Sequence, residues 1–391
     1  MLRQSVLCFI FIFMAAPGSS HYNHLLNESS DVQVDKISQH FNQSSPLYHH
    51  LAKSSHLLSD KQVQLLRKQG YPHFAFEWAI RLTEQKKYQQ AGLLIERYWD
   101  RVNHSMRVRL LELLKQQNRY HSIARIFENS PAIEPYNTLS LLALGESTEQ
   151  LESKILSQLG ITTLSTFDLG SSRCAHLVLL LSNTLESTLK LGKLKQAYEQ
   201  SELAKQLPYC LSEPIYVGEP LQCTGGTGQF IRCSLIKVAG STALAQARHL
   251  VIMSEQSGLA NVRHGVMSMN HNHGLELFIH ELMHFTHFED EYPVPINKAN
   301  WLCASAGLKA PNLYVGKHPP QNWHASKTCL HGKLPSYKPS QVLSKMEYHA
   351  IDLSNQYLGL WLKALEQSLL EPSDYQIYHH KLVNRDSALV K

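Results

Sequence analysis

The sequence predicts an α+β protein in two parts, an α-helical N-terminal domain followed by an α/β domain. Three observations predict it. Residues 74–207 place apolar residues at helical spacing, as in FEWAIRLTEQKKYQQAGLLIERYWDRV. From Pro208 turn signals and short β-rich runs take over, as in YCLSEPIYVGEPLQCTGGTGQFIRCSLIKV. Two strand-like runs then lead into HGLELFIHELMHF, a helix with hardly any polar face.

At 391 residues the chain has room for two ordinary domains, each with its own core. A hydrophobic content of 43% with 18% charged residues belongs to a folded chain. The net charge is only +5 and no Lys/Arg run occurs, so neither nucleic acid nor an acidic membrane surface is indicated as a partner. With 23 histidines in the chain, a single His carries little weight.

Residues 1–20 read as a cleaved secretory signal: one early Arg3, an apolar stretch from Val6 to Ala16, then small residues ending near Gly18 or Ser20. The apolar run is short for a membrane span, and no later segment is long and apolar enough to cross a bilayer. The expected mature protein is secreted or periplasmic. Export leaves six cysteines, an even number that suits disulfides. Cys303 with Cys329 is the preferred local pair, since both follow the HELMH helix in a loop-rich stretch.

Residues 21–73 are rich in Ser, His, Asn and Gln and read as a poorly ordered lead-in. Within 74–207 the segment QKKYQQAGLL around Tyr88 is echoed by QNRYHSIARIF around Tyr120, 32 residues on. A further echo, LGKLKQAYEQSELA, surrounds Leu194, with a degenerate unit near ESTEQLESKIL. The spacing is close to a helix-turn-helix repeat. These units resemble tetratricopeptide repeats loosely, and a short helical solenoid and an ordinary helical domain both remain open. This half carries no catalytic constellation; binding a protein partner or blocking the second half are its expected roles.

In residues 208–370 the expected strands are Gln229–Val238, the buried run ARHLVIMSE and the run VRHGVMSMN, with an Ala-rich helix before the second. Residues 371–391 read as a C-terminal tail. The chemistry lies in HELMHFTHFEDEY, residues 280–292. His280 and His284, four apart on a helix, lie about 40° apart on one face, where two imidazoles can share a tetrahedral Zn²⁺. Glu281 projects about 100° round from His280, close enough to act as general base to a water without being a ligand. The helix flanks are apolar, so two histidines and a glutamate buried there without partners would cost several kcal/mol. A metal or a hydrogen-bond network must offset that. His287, Asp290 and Glu291 are the candidates for a third ligand. His271 and His273 form an HxH pair in the polar loop before the helix and read as solvated, with a second metal site as the weaker alternative.

The stretch resembles the metzincins, zinc peptidases whose helix reads HExxHxxGxxH or HExxHxxGxxD. On that pattern the third ligand falls on Asp290 and the family's glycine on His287; His is among the non-glycine residues enriched at positive φ. Residues 344–348, SKMEY, match the SxMxY Met-turn of astacin-like and serralysin-like metzincins, about sixty residues after the helix. The Asp290-Glu291-Tyr292 triplet is also similar to that of IgA-peptidase-type metallopeptidases. The resemblance covers about 210–370. It implies a metzincin-like domain in which His280, His284 and Asp290 hold Zn²⁺ and Met346 forms an apolar floor. It further implies that Tyr348 donates to the oxyanion, that a strand like Val262–Asn270 forms a sheet edge, and that the substrate is a protein or peptide. Two other classes remain open: a helical-repeat binding module with a structural zinc, and a zinc hydrolase of a non-peptide amide.

Overall fold

Two successive helix-turn-helix units underlie the 32-residue echo. The structure, a computed structural model, describes residues 46–168 and 174–384. The chain divides into two compact units, one ending at Ser140 and one beginning at Leu141. The expected signal 1–20 and the lead-in up to residue 45 lie outside the described residues. From residue 46 the expected poorly ordered stretch is helical instead, forming α1 (Pro46–Lys53) and α2 (Asp60–Lys68). A capping box of Ser59 and Gln62 starts α2, and Tyr48, Leu51, Val63 and Leu66 are buried together with Phe74.

In this first unit α3 (Pro72–Glu84) pairs with α4 (Tyr88–Tyr98), and α5 (His104–Gln116) leads into α6 (Tyr120–Phe127). The two turns are built alike. Lys86 and Asn118 take φ of 60° and 54°. The next amides reach back into the helix, Lys87 N–H to Leu82 and Arg119 N–H to Leu114, both at 2.8 Å. That is a Schellman closure, which satisfies the last helix carbonyls and reverses the chain. Phe76, Ile80, Ala91, Ile95, Trp99, Leu110, Leu114 and Ile123 fill the core between the hairpins. Glu77 is fully buried on α3, where Arg109 of α5 grips its carboxylate with two bonds of 2.6 and 2.9 Å and Arg81 lies at 3.3 Å.

A seventh helix, α7 (Tyr136–Leu144), runs into the second unit, which begins well before the boundary expected near Pro208. After α8 (Ser153–Gln158) and β1 (Thr162–Thr163), the run HLVLLLS forms β2 (His176–Ser182), a strand buried at every residue. The third expected echo, around Leu194, lies in α9 (Leu185–Glu199), which packs Leu191, Leu194 and Tyr198 on the sheet and belongs to no repeat. A short apolar run buried on both faces has no period-2 signature, so its sequence does not separate it from the helical spacing around it.

Next come β3 (Tyr209–Tyr216), the hairpin β4 (Gln222–Gly226) and β5 (Gln229–Ser234), α10 (Thr242–Gln246) and β6 (His249–Ser254). VRHGVMSMN is a hairpin and not one strand: β7 (Asn261–Arg263) turns at His264 and Gly265, φ 53° and 68°, into β8 (Val266–Asn270). Two consecutive positive φ values are the two-residue turn that matches strand twist. The sheet runs β1-β3-β2-β6-β8-β7, parallel except for β7 at the edge. The β4–β5 hairpin, tied by Cys223–Cys233, pairs with the chain leading into β7 through Leu259, and Asn261 Nδ2 donates to the Ile231 carbonyl at 2.8 Å.

One sheet face packs against α9, α11 (Leu275–His284) and a later helix; the other packs Leu177, Leu179, Leu181, Leu250 and Ile252 against Leu244 and Tyr375. Between them, α12 (Ile296–Leu302) and a four-stranded antiparallel sheet interrupt the chain. Its strands are β9 (Gly307–Ala310), β10 (Leu313–Val315), β11 (His324–Ser326) and β12 (Ser336–Lys338). The expected Cys303–Cys329 bond is present in its small core, and Cys174–Cys210 completes three disulfides. The later helix is α13 (Asn355–Ser368). The expected tail from residue 371 instead carries α14 (Asp374–Val383), started by a Ser373/Gln376 capping box and anchored by fully buried Tyr375. Among the described residues no helix is long and apolar enough to cross a membrane. The result is a mixed α/β protein with a helical N-terminal region.

Candidate metal centre

Helix α11 is buried all round over its middle turns, with Phe278, Ile279, Leu282 and Met283 alongside His280 and Glu281. The apolar members pack on Met267, Met269 and Trp361, which clamps the helix and fixes where its polar members emerge. The helix stops after His284. Phe285 still has helical φ, but His287 takes φ 62° and the chain turns back. Phe288 then drops into the core, and its carbonyl comes to 2.6 Å from His284 Nδ1.

This reversal brings Asp290 beneath the histidines. His280 Nε2 lies 3.4 Å and His284 Nε2 3.3 Å from Asp290 Oδ1. Both Nδ1 atoms are occupied, His280 by the Lys345 carbonyl at 2.8 Å and His284 by Phe288. A carbonyl only accepts, so each Nδ1 carries the proton and each Nε2 is left to face inward. Asp290 Oδ1 is buried between the two Nε2 atoms and makes no hydrogen bond of good geometry. Glu281 Oε2, beside it, is equally buried and unpartnered.

The electrostatics follow from that crowding. Burial would lift Asp290, but the two imidazoles outweigh it and hold the carboxyl far below the usual carboxylate range. Burial would likewise depress His284; Asp290, Glu281 and the Phe288 carbonyl reverse this and raise it to about 9. Glu281 is raised, chiefly by burial, with Asp290 adding and the histidines opposing. The Asp290 carboxylate and the raised His284 imidazole thus offset one another, and a cation bound there would have to displace the His284 proton.

The donor set fits a zinc-like ion. Bonds of about 2.0–2.1 Å in a tetrahedron imply donor separations of about 3.3 Å, which is the Nε2–Oδ1 spacing found here. Among the described residues His280, His284 and Asp290 are the one trio of this kind, and it could hold a metal ion.

The other candidate residues are placed elsewhere. His287 is exposed and lies 3.8 Å from the Asp374 carboxylate. Glu291 is fully buried in a separate network with Ser344, Tyr357 and Asn312. His273 Nδ1 accepts from the Asn270 amide at 3.2 Å, and among the described residues the His271/His273 pair gathers no third ligand. Met346 is fully buried in the cluster that includes Phe278 and Met283. Tyr348 is exposed, its ring stacked on His349 at 5.4 Å. The hydroxyl within reach of Asp290 belongs to Tyr292, which burial and the Asp290 and Glu281 carboxylates hold well above its usual range. In the sequence Tyr292 stands out only as the end of the Asp290-Glu291-Tyr292 triplet, and its adjacency to Asp290 is the signal there. Nothing in the sequence marked Asn312 or Tyr357.

Comparison with known protein families, with curated proteins and with solved structures finds no match for this chain.

Proposed function

We propose that the chain is an exported zinc-dependent metalloendopeptidase. One observation carries the reading: two imidazole Nε2 atoms converge within 3.4 Å of a buried, unpartnered Asp290 oxygen, next to an unpartnered Glu281 oxygen. A purely structural metal would ask for a fourth protein ligand, and none joins the trio among the described residues. The three disulfides suit the oxidising compartment that export implies.

His280, His284 and Asp290 would hold the ion. When bound, zinc supplies Lewis-acid polarisation of a peptide carbonyl and of a water molecule. Glu281 Oε2, free of other bonds, takes the water's proton and returns it to the leaving amine. The apolar wall of Phe278, Met283 and Met346 keeps bulk water from the rear of the site. Tyr348, exposed three residues after the Lys345 carbonyl that orients His280, would swing onto a developing oxyanion, whereas Tyr292 steadies Asp290. This arrangement is what the resemblance to metzincins implies, with His287 in place of the glycine at the turn.

The test is cleavage of a diverse peptide mixture by zinc-loaded protein with Glu281→Gln beside it. Cleavage by the wild type alone supports the reading; equal cleavage by both, or none by either with zinc bound, overturns it.

A further inference from the structure

Asp290 presents an unpartnered oxygen to the two histidines, so something other than its own side chain must hold it there. Its neighbours do. Glu289 is clasped by Asn312 on both sides of the peptide: Asn312 Nδ2 donates to the Glu289 carbonyl at 2.7 Å, and the Glu289 amide donates to Asn312 Oδ1 at 2.9 Å. The Asp290 carbonyl accepts from Thr328 Oγ1 at 2.7 Å. On the other flank Glu291 is fully buried and makes the densest set of bonds in the region. Its Oε1 accepts from Tyr357 Oη at 2.5 Å and from Asn312 Nδ2 at 2.8 Å. Its Oε2 accepts from Ser344 Oγ at 2.5 Å, with Lys338 Nζ at 3.4 Å. Its amide donates to the Met346 carbonyl at 3.0 Å.

That single side chain therefore joins four places that are distant in sequence: the Asp290 loop, the β9–β10 turn at Asn312, the 344–346 turn, and α13 at Tyr357. The 344–346 turn matters twice, because the Lys345 carbonyl orients the ring of His280. Two of the three proposed ligands are thus aimed by segments that Glu291 ties together. We infer that Glu291 is the positioning residue of the metal centre, setting how tightly and in what geometry the metal is held without touching it. The inference rests on the metal reading above. All three hydrogen-bonding side chains around the carboxylate donate to it, so the acceptor-only character of Glu is what the network uses. A glutamine would turn an NH₂ group toward one of those donors and force it away.

The experiment measures zinc affinity by chelator competition and the visible spectrum of the Co²⁺-substituted protein, for full-length wild type, Glu291→Gln, Ser344→Ala and Tyr357→Phe. Outer-shell partners of metal ligands typically govern affinity by about 10–100-fold. Glu291→Gln is expected to weaken zinc binding by about that factor and to weaken the intense bands of four-coordinate Co²⁺. Ser344→Ala and Tyr357→Phe each remove one donor while leaving the carboxylate, and each is expected to give a smaller change in the same direction. They keep the test decisive if Glu291→Gln does not fold. Wild-type affinity and spectrum in Glu291→Gln, or in both single-donor variants should it fail to fold, overturn the positioning role and leave the metal reading standing. A wild type that binds neither ion overturns both.

Discussion

His280 Nδ1 and the Lys345 carbonyl oxygen, 65 residues apart in sequence, lie 2.8 Å apart. The ring that faces Asp290 is therefore oriented by the turn that carries Met346, and ligand helix and turn form one unit.

If that unit is a catalytic zinc site, binding and chemistry separate by residue. Asp290→Ala is expected to lose stoichiometric zinc, because it removes the oxygen on which both Nε2 atoms converge. Glu281→Gln is expected to keep the zinc and lose about 10²–10⁴-fold in kcat, the usual contribution of a general base. Metal analysis beside peptide kinetics checks both. Retained zinc in Asp290→Ala would move the third ligand elsewhere.

The two tyrosines should part in the same way. Tyr348→Phe is expected to lower kcat by about 10²–10³-fold, the typical cost of an oxyanion donor, with metal content unchanged. Tyr292→Phe, which removes the hydroxyl beside Asp290, is expected to weaken zinc binding first. Unchanged turnover in Tyr348→Phe removes that residue from the mechanism.

Acid should loosen the second unit through a pair of histidines that are not among the proposed ligands. His176 and His249 begin adjacent parallel strands and are almost fully buried, with no hydrogen bond of good geometry on either ring and only the Leu365 backbone in reach of His176. Their rings stack at 6.3 Å, and His249 also lies flat on Phe285 at 4.3 Å. Burial, with Arg248 adding, lowers His176 to about 4, and burial, with His176 and Arg248 adding, holds His249 well below its usual 6.5. Both are depressed in the folded state, so their stability contribution is complete above pH 6.5 and lost as pH falls below it. For His176 the loss runs from 6.5 to about 4 and amounts to about 3 kcal/mol at 1.36 kcal/mol per unit. Thermal melts across this range check it. His176→Phe should flatten the slope, and an unchanged slope in that variant would assign the acid response to other groups.

The first unit should resist acid to a lower pH. Burial pushes Glu77 up, but its bonds to Arg109 and Arg81 outweigh this and hold it below its ordinary 4.5. Its contribution is present above pH 4.5 and lost on acidification through the lower folded value. Glu77→Ala leaves two arginines without their buried partner and is expected to cost about 3–5 kcal/mol at neutral pH. Denaturant unfolding measures this; a cost below about 1 kcal/mol would mean the arginines find water instead.

What the sequence by itself determined is local. The four-residue spacing of His280 and His284 sets their shared face wherever a helix forms, and the 32-residue period locates two hairpins whose turns repeat the same closure. The pairing of Cys303 with Cys329 was also legible, since both bound one short loop-rich stretch. Tertiary structure decided the rest, because the deciding contacts join residues far apart in the chain. HLVLLLS has no period that separates a doubly buried strand from a helix, and only its neighbours β3 and β6 make it a strand. Helical spacing alone left three candidates for a third ligand, and only the resemblance pointed to Asp290. The left-handed turn at His287 sends that side chain to solvent and Asp290 under the histidines, while Ser344, Tyr357 and Asn312 draw Glu291 inward. Side chains one residue apart point in different directions, so the destination of each depends on which distant partners the fold supplies.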